Sequence, residues 1–479
     1  MYNWQPSLNL FWNDSDLEGI INDAANVLEK IGMGCGHQKT IDTLIEKGEE
    51  VRYRNGRIHF SAKQVKDFIT AQKKKNQMNP EKEEPEFKLG ACWMGLNYCD
   101  PLTREIRRAT SEEAAQMARF WDARDIDWCI PVNPGDVSPG LTTLAGERIA
   151  IKNSRKLGGY LTVLDPEEVR YLRDMFLAAG RQYRLDEQVG ISPMHFNDDG
   201  LETAWQFMDD PDVKVILSGS IPMAGATCVL HPRTAVVQSL AETVAQDILC
   251  DTLGVAGGGL LRVEPFDMQY STICWGSPEW CLFYTLVTQM KVYLNGRPAR
   301  KGFMRSIAKQ PDAQAMTERT ATALWQALHG VRIFGGVGQL CIDEVFSPQQ
   351  AMLDHEIINY ISRIIKGIDV TADSVDPVEL IQEGITQETF LGTADTASRF
   401  RDFYQFPEMF RHWNLGRWRN EGMPSLLDEA WVRAQEVIGQ SDFRLTDEQE
   451  KAVDAVYEKG KEYVMSRDNK TTIGAVGVG

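Results

Sequence analysis

Aromatic rings cluster in this chain where strand-like runs give way to loops. Trp93, Asn97 and Tyr98 lie on an early hairpin, and Tyr270, Trp275 and Trp280 follow a later run. Rings around one cavity suit a quaternary ammonium, which has no N–H to donate and is held by cation–π attraction. The same rings would serve as core or lid packing. His195 follows Ser192-Pro193-Met194 at a strand end and is the best placed of the seven histidines. It fits either a carboxylate partner or a satisfied structural histidine. Glu264 ends another strand, where it fits either acid–base chemistry with Lys309, as in a lyase, or a salt bridge inside a barrel.

Recognised catalytic patterns are missing. There is no GxSxG, HExxH or P-loop, and no His/Cys/Asp/Glu grouping with metal-site spacing. The glycine runs at 257–259 and 335–338 break the GxGxxG spacing and read as tight turns flanking strands. The loop SGSIPMAGAT, with Gly219, Pro222 and Gly225, has almost no bulk or charge, so backbone there can approach a ligand or partner closely.

That loop follows the β-branched run 213–217 and precedes a long helical stretch, which is half of a βαβ unit. The unit recurs. Candidate strands are 128–132, 160–164, 189–193, 213–217, 260–264, 300–307, 331–334 and 389–391, with helices between them at 166–180, 278–294, 312–328 and 347–368. Eight units predict an α/β fold, a (β/α)8 TIM-type barrel, with an open doubly wound sheet as the alternative. Residues 1–110 read as an N-terminal helical cap and hairpin, 111–400 as the barrel, and 401–479 as a C-terminal helical extension. Within the cap, 16–33 and 37–47 have helical periodicity, and 51–60 forms a hairpin about Asn55-Gly56.

With 479 residues, 43% hydrophobic and 25% charged, the chain has globular composition. No apolar run reaches the roughly 18 residues of a membrane span. The N-terminus has no signal-peptide core, which predicts a cytoplasmic protein. The nine cysteines are scattered without CxxC pairs, as expected of free thiols in a reducing compartment. A net charge of −17 argues against nucleic-acid partners and suits cationic or zwitterionic small molecules.

The segments 218–246, 277–290, 309–330, 346–368 and 389–410 resemble, in order, successive blocks of the trimethylamine methyltransferase family. The resemblance implies a (β/α)8 barrel that passes a methyl group from an amine to Co(I) of a corrinoid, which is carried by a partner protein or free. Family members acting on trimethylamine carry pyrrolysine in the loop that here reads GQLCIDE, residues 338–344, with ordinary residues only. The chain therefore resembles the non-pyrrolysine branch, typified by glycine betaine:corrinoid methyltransferase. Proline betaine, carnitine and γ-butyrobetaine are alternative substrates. At 393–396 the family's histidines are replaced, and this chain has Gly392, Ala394 and Asp395.

On that basis Trp93, Tyr98, Trp275 and Phe346 are cage candidates for the ammonium. His195, Lys309 and the amides of 219–225 are candidates for a substrate carboxylate. Gly219, Pro222, Gly225 and Asp343 are expected to face the corrinoid, although the glycine loop would suit the substrate equally. No residue is assigned as catalytic and no metal site is expected. A homo-oligomer is expected. A barrel lyase without corrinoid and a non-catalytic betaine sensor remain the competing classes.

Overall fold

Many helix starts in this chain share one chemical device. Pro232, Pro278 and Pro348 open helices directly behind His231, Ser277 and Ser347, whose side chains accept a backbone N–H of the first turn. Pro166 and Pro377 stand in the same way behind Asp165 and Asp376. Proline loses nothing at that position, since its missing N–H would have had no helical acceptor, and the cap satisfies a donor the helix leaves unpaired.

The structure is a computed structural model that describes residues 11–48, 50–78, 86–90, 95–124, 132–156, 165–368 and 376–467. Trp93, most of the expected strand 128–132 and all of 160–164 lie outside them. The fold is mixed α/β, with several short sheets beside long helices. Strands Tyr183–Gln188, Val213–Ser218 and Ala256–Gly258 form one parallel sheet, with Val213 opposite Tyr183 and Ile216 opposite Ala256. Lys301–Phe303, Ile333–Gly335 and Lys88–Leu89 form a second parallel sheet. Met223–Ala224 runs parallel to Glu264–Asp267, and Val345–Phe346 runs parallel to Asn97–Cys99. Among the described residues these sheets do not join into one closed barrel.

Outside the sheets, Asp14–Lys30 packs on Pro232–Leu253 and on Ala62–Met78. Asp447–Ser466 packs on Pro166–Ala178, and Leu426–Gln440 on Pro348–Lys366. The expected hairpin is present: Val51–Arg54 pairs with Arg57–Phe60, and Asn55 and Gly56 both have positive φ. Among the described residues no helix is long and apolar enough to cross a membrane.

Several strand positions differ from expectation. The run expected as a strand at 189–193 holds only the two-residue strand Gly190–Ile191, while the parallel strand is Tyr183–Gln188, disguised by Arg184, Asp186 and Glu187; Glu187 is wholly buried. The run expected as a strand at 389–391 is an exposed turn between two helices. Lys88–Leu89, expected as part of a hairpin, instead extends the sheet from Ile333–Gly335. The glycine run 257–259 is not a turn. Ala256–Gly258 is itself a strand, and a Cβ on Gly257 would lie 2.0 Å from the Leu217 carbonyl oxygen.

Close backbone approach also explains Gly219. A Cβ there would lie 2.8 Å from Gly259 Cα and from the Leu260 nitrogen. Gly219→Ala is expected to lower stability by about 1–3 kcal/mol through overpacking, read as a lower urea midpoint at unchanged slope.

Candidate active site

The segment from 262 to 291 folds back on itself so that its polar groups converge. Arg262 and Glu264 stand two residues apart, hence on one side of an extended chain, with Arg262 Nε 3.9 Å from Glu264 Oε1. The chain then pairs Phe266 with Ile273 and turns into the helix Pro278–Asn295. That path carries two indoles onto one carboxylate: Glu264 Oε2 accepts Trp275 Nε1–H at 2.9 Å and Trp280 Nε1–H at 2.8 Å. Glu264 is only 3% exposed, so both are charge-assisted bonds in a place shielded from water. Lys291 lies three turns beyond Trp280 on the same helix face.

Two further segments close the cluster. Arg305, just past strand Lys301–Phe303, lays its guanidinium 3.6 Å from the centre of the Trp275 ring and 4.6 Å from that of Phe303. Asp343, on the loop after Ile333–Gly335, is within electrostatic reach of both Arg305 and Arg262. Burial pushes the Arg305 guanidinium down to about 10, with Glu264 opposing, and the Lys291 ammonium down to about 8, helped by Arg262. Burial lowers Arg262 as well and raises the Asp343 carboxyl, the latter opposed by Arg305. Three cations thus share one enclosure with two carboxylates.

The Lys291 shift has a definite sign. Its folded-state pKa is below the unfolded value near 10.5, so between about pH 8 and 10.5 the unfolded chain holds more protons and stability rises with pH. Lys291→Met is expected to be more stable than the parent at pH 7 by on the order of 1–3 kcal/mol. That advantage should vanish by about pH 10 when urea midpoints are compared across pH.

Surrounding loops are fixed through their backbones. The Glu264 N–H donates to Pro222 O at 2.9 Å, which sets the loop 219–225 alongside the cluster. Glu242 accepts the hydroxyls of Ser192 (2.6 Å) and Ser220 (2.5 Å) and the Met194 N–H (2.9 Å), tying together the loops after two adjacent strands. Arg319 and Asp354 form a fully buried pair. Arg319 donates to the carbonyls of Gln339 (2.5 Å) and Gly336 (2.7 Å), and Asp354 accepts the Gly338 N–H at 2.7 Å. Farther along, Cys341 N–H donates to Ala308 O at 2.7 Å and Ile342 N–H to Ser306 O at 3.1 Å. Cys341 and Ile342 both adopt left-handed φ, 50° and 70°, a strained state for a β-branched residue such as Ile342.

Of the expected site residues, Trp275 and Asp343 meet in the cluster, and Pro222 borders it. Gly225, at φ 98°, is half-buried with Met268 and Leu230 as its nearest neighbours. Lys309 is exposed and close to Cys341, whereas the bonds to Glu264 Oε2 come from the two indoles. Tyr98 and Phe346 are paired in register and buried in an apolar core. Phe346 meets Trp121 edge-on at 5.5 Å, and Arg107 lies 5.6 Å over Tyr98. His195 is exposed on a sheet with Gly34.

Arg262, Lys291 and Arg305 are not among the residues expected from sequence, although a lone charge inside the otherwise apolar stretches 260–263 and 302–308 marks Arg262 and Arg305. The apolar crevice lined by Ala114, Met117, Trp121 and Ala150 contains no ionisable group and is packing space. Among the described residues no group of three or more His, Cys, Asp or Glu could hold a metal ion, and the seven described cysteines are free thiols.

The chain is similar to known proteins over most of its length. A family model described as trimethylamine methyltransferase matches residues 3–469. The trimethylamine methyltransferase MttB of Desulfitobacterium hafniense is 25% identical over 413 residues, covering 81% of this chain and 82% of that protein. Its namesake from Methanosarcina barkeri strain Fusaro is 26% identical over 348 residues, 69% of this chain and 68% of that protein. The Methanosarcina thermophila protein of the same name is 30% identical over 348 residues, 69% of this chain and 70% of its own length.

Proposed function

Since this chain belongs to the trimethylamine methyltransferase family, we propose that it moves a methyl group from a quaternary amine to Co(I) of a corrinoid carried by a partner protein. Glycine betaine or a related betaine is the proposed donor. The observation that carries this reading is the enclosure at Glu264, where indoles, cations and carboxylates converge beside a loop nearly free of side-chain bulk. The loop at 338–344, where trimethylamine enzymes of the family are expected to carry pyrrolysine, has only ordinary residues, which supports the non-pyrrolysine branch.

A (β/α)8 barrel is the proposed frame. Each described parallel strand leads into a helix, and Lys88–Leu89 at the start of the series lies beside Ile333–Gly335 at its end. Arg262, Glu264, Arg305 and Asp343 then all follow strands, where barrel enzymes place their working residues. The cap (residues 1–110), barrel (111–400) and C-terminal extension (401–479) read from the sequence belong to this proposal, with Lys88–Leu89 moved from the cap to the barrel.

The methyl acceptor is a second substrate, and Co(I) supplies a strong nucleophile. Gly219 is accounted for by its packing on Gly259, so Gly225, half-buried and without a Cβ, is the loop position that fits a large planar group. The donor nitrogen already carries its positive charge, so the amine departs neutral and no general acid is required. What the chain must do is hold the donor, exclude water and aim one methyl group. Trp275 and Trp280, fixed by Glu264, give such an enclosure rigid walls. A reducing, cytoplasmic setting and a homo-oligomer belong to the same reading.

The test is an anaerobic assay in which the protein, free cob(I)alamin and a panel of quaternary amines are followed by visible spectroscopy. Methyl-Co(III) is expected with at least one betaine. Its absence with every amine would overturn the proposal.

A further inference from the structure

Arg305 is 4% exposed, yet its guanidinium donates no hydrogen bond among the described residues and its Nε lacks an acceptor. No carboxylate among them lies within ion-pair distance of it. Glu264 Oε2 is committed to Trp275 and Trp280, while Oε1 faces Arg262. A buried arginine is normally paired, because an unpaired buried charge is costly. Here the rings of Trp275 and Phe303 lie against the guanidinium, which leaves its N–H edge as the bonding surface. That edge is the fork that matches a carboxylate in two parallel bonds. The surroundings need an anion too: Arg262, Lys291 and Arg305 outnumber Glu264 and Asp343 by one charge. The Arg262 Nε also has no hydrogen-bond acceptor.

We propose that Arg305, braced by Trp275 and flanked by Arg262, is the receptor for a carboxylate on the substrate, so that this site takes a zwitterionic amine and rejects a simple cation. The proposal rests on the methyl-donor reading above and narrows it. It also reassigns Trp275. One ring face is occupied by a guanidinium, so the indole stiffens the anion receptor and does not offer that face to the ammonium. An amine without a carboxylate would add a fourth cation to the enclosure and leave Arg305 unpaired, which is the arrangement by which polar sites discriminate most strongly. His195 and Lys309 are both exposed and have no comparable enclosure.

The experiment compares the parent protein with Arg305→Lys and Arg305→Gln. Binding of glycine betaine, longer carboxylated betaines, choline and tetramethylammonium is measured by calorimetry, and methyl transfer is measured with cob(I)alamin. Circular dichroism and thermal melts report folding; if Arg305→Gln melts early, the lysine variant, which retains charge and bulk but not the planar fork, decides. The parent is expected to bind a carboxylated betaine at least 100-fold tighter than choline, and Arg305→Gln should reduce that ratio by about 100-fold. An equal loss for all amines would assign Arg305 a purely structural role and sink the proposal, as would an unchanged ratio or a parent that binds no carboxylated amine. Betaine binding that depends on Arg305 without any methyl transfer would instead overturn the methyltransferase reading and leave the receptor standing.

Discussion

Asp354→Leu is expected to destabilise the protein by about 3–5 kcal/mol, the usual cost of leaving one member of a buried ion pair alone. Asp354 accepts from Arg319, Gln350 and the Gly338 amide, and its side chain has no solvent contact that could replace them. Arg319 would be stranded in the same enclosure, still bound to two carbonyls but without a counter-charge. Urea unfolding of the single variants and of Arg319→Leu/Asp354→Leu checks this. The double variant should lose clearly less than the sum of the singles, because the stranded charge goes with its partner. Additive losses would show that the two side chains do not act as a pair.

The second large effect is expected at Glu264. Glu264→Gln keeps the size and one acceptor for the indoles, but removes the charge that opposes Arg262, Lys291 and Arg305. The two indole bonds lose their ionic acceptor, and such bonds are roughly twice as strong as neutral ones. Two consequences are expected together. Methyl-transfer efficiency should fall on the order of 100-fold as Trp275 and Arg305 lose their bracing. The Lys291 ammonium, which Glu264 holds up against burial, should titrate still lower than about 8. The first is read from kcat/KM in the cobalamin assay. The second is read from stability–pH curves of Glu264→Gln and of Glu264→Gln/Lys291→Met, whose difference should be larger at pH 7 and begin to fall at a lower pH than in the parent background, closing in both near the unfolded lysine value of 10.5. A variant with unchanged efficiency and unchanged pH dependence would remove Glu264 from the centre of the site.

Much of the helical frame was legible because helix starts are local chemistry: a capping side chain and a following proline are neighbours in sequence. The hairpin at Asn55-Gly56 was legible for the same reason. Strands were harder. Tyr183–Gln188 carries Arg184, Asp186 and Glu187 because strands of this kind can point charged groups inward, which reverses the apolar signature of a buried strand. Lys88–Leu89 is two residues long and gains its identity only from a partner nearly 250 positions later. The site divided in the same way. Trp275, Trp280 and Glu264 lie within one short stretch and were singled out. Arg305 was not, since nothing near it in sequence reveals that an indole from another loop covers it.

The polar anchors of the segment leading into the left-handed pair Cys341–Ile342 are backbone atoms: the carbonyls of Gly336 and Gln339, the amide of Gly338, and then the amides of Cys341 and Ile342; beside them the Leu340 side chain is buried in an apolar cluster with Ala308 and Val345. None of those bonds depends on which side chains residues 340–344 carry. Past Leu340 the shape of the loop is therefore decoupled from its chemistry, and different side chains can be exchanged at 341–344 without losing those bonds. Asp343 on this loop reaches the Glu264 cluster, so that separation would let binding preference change by point substitution while the fold keeps its stability.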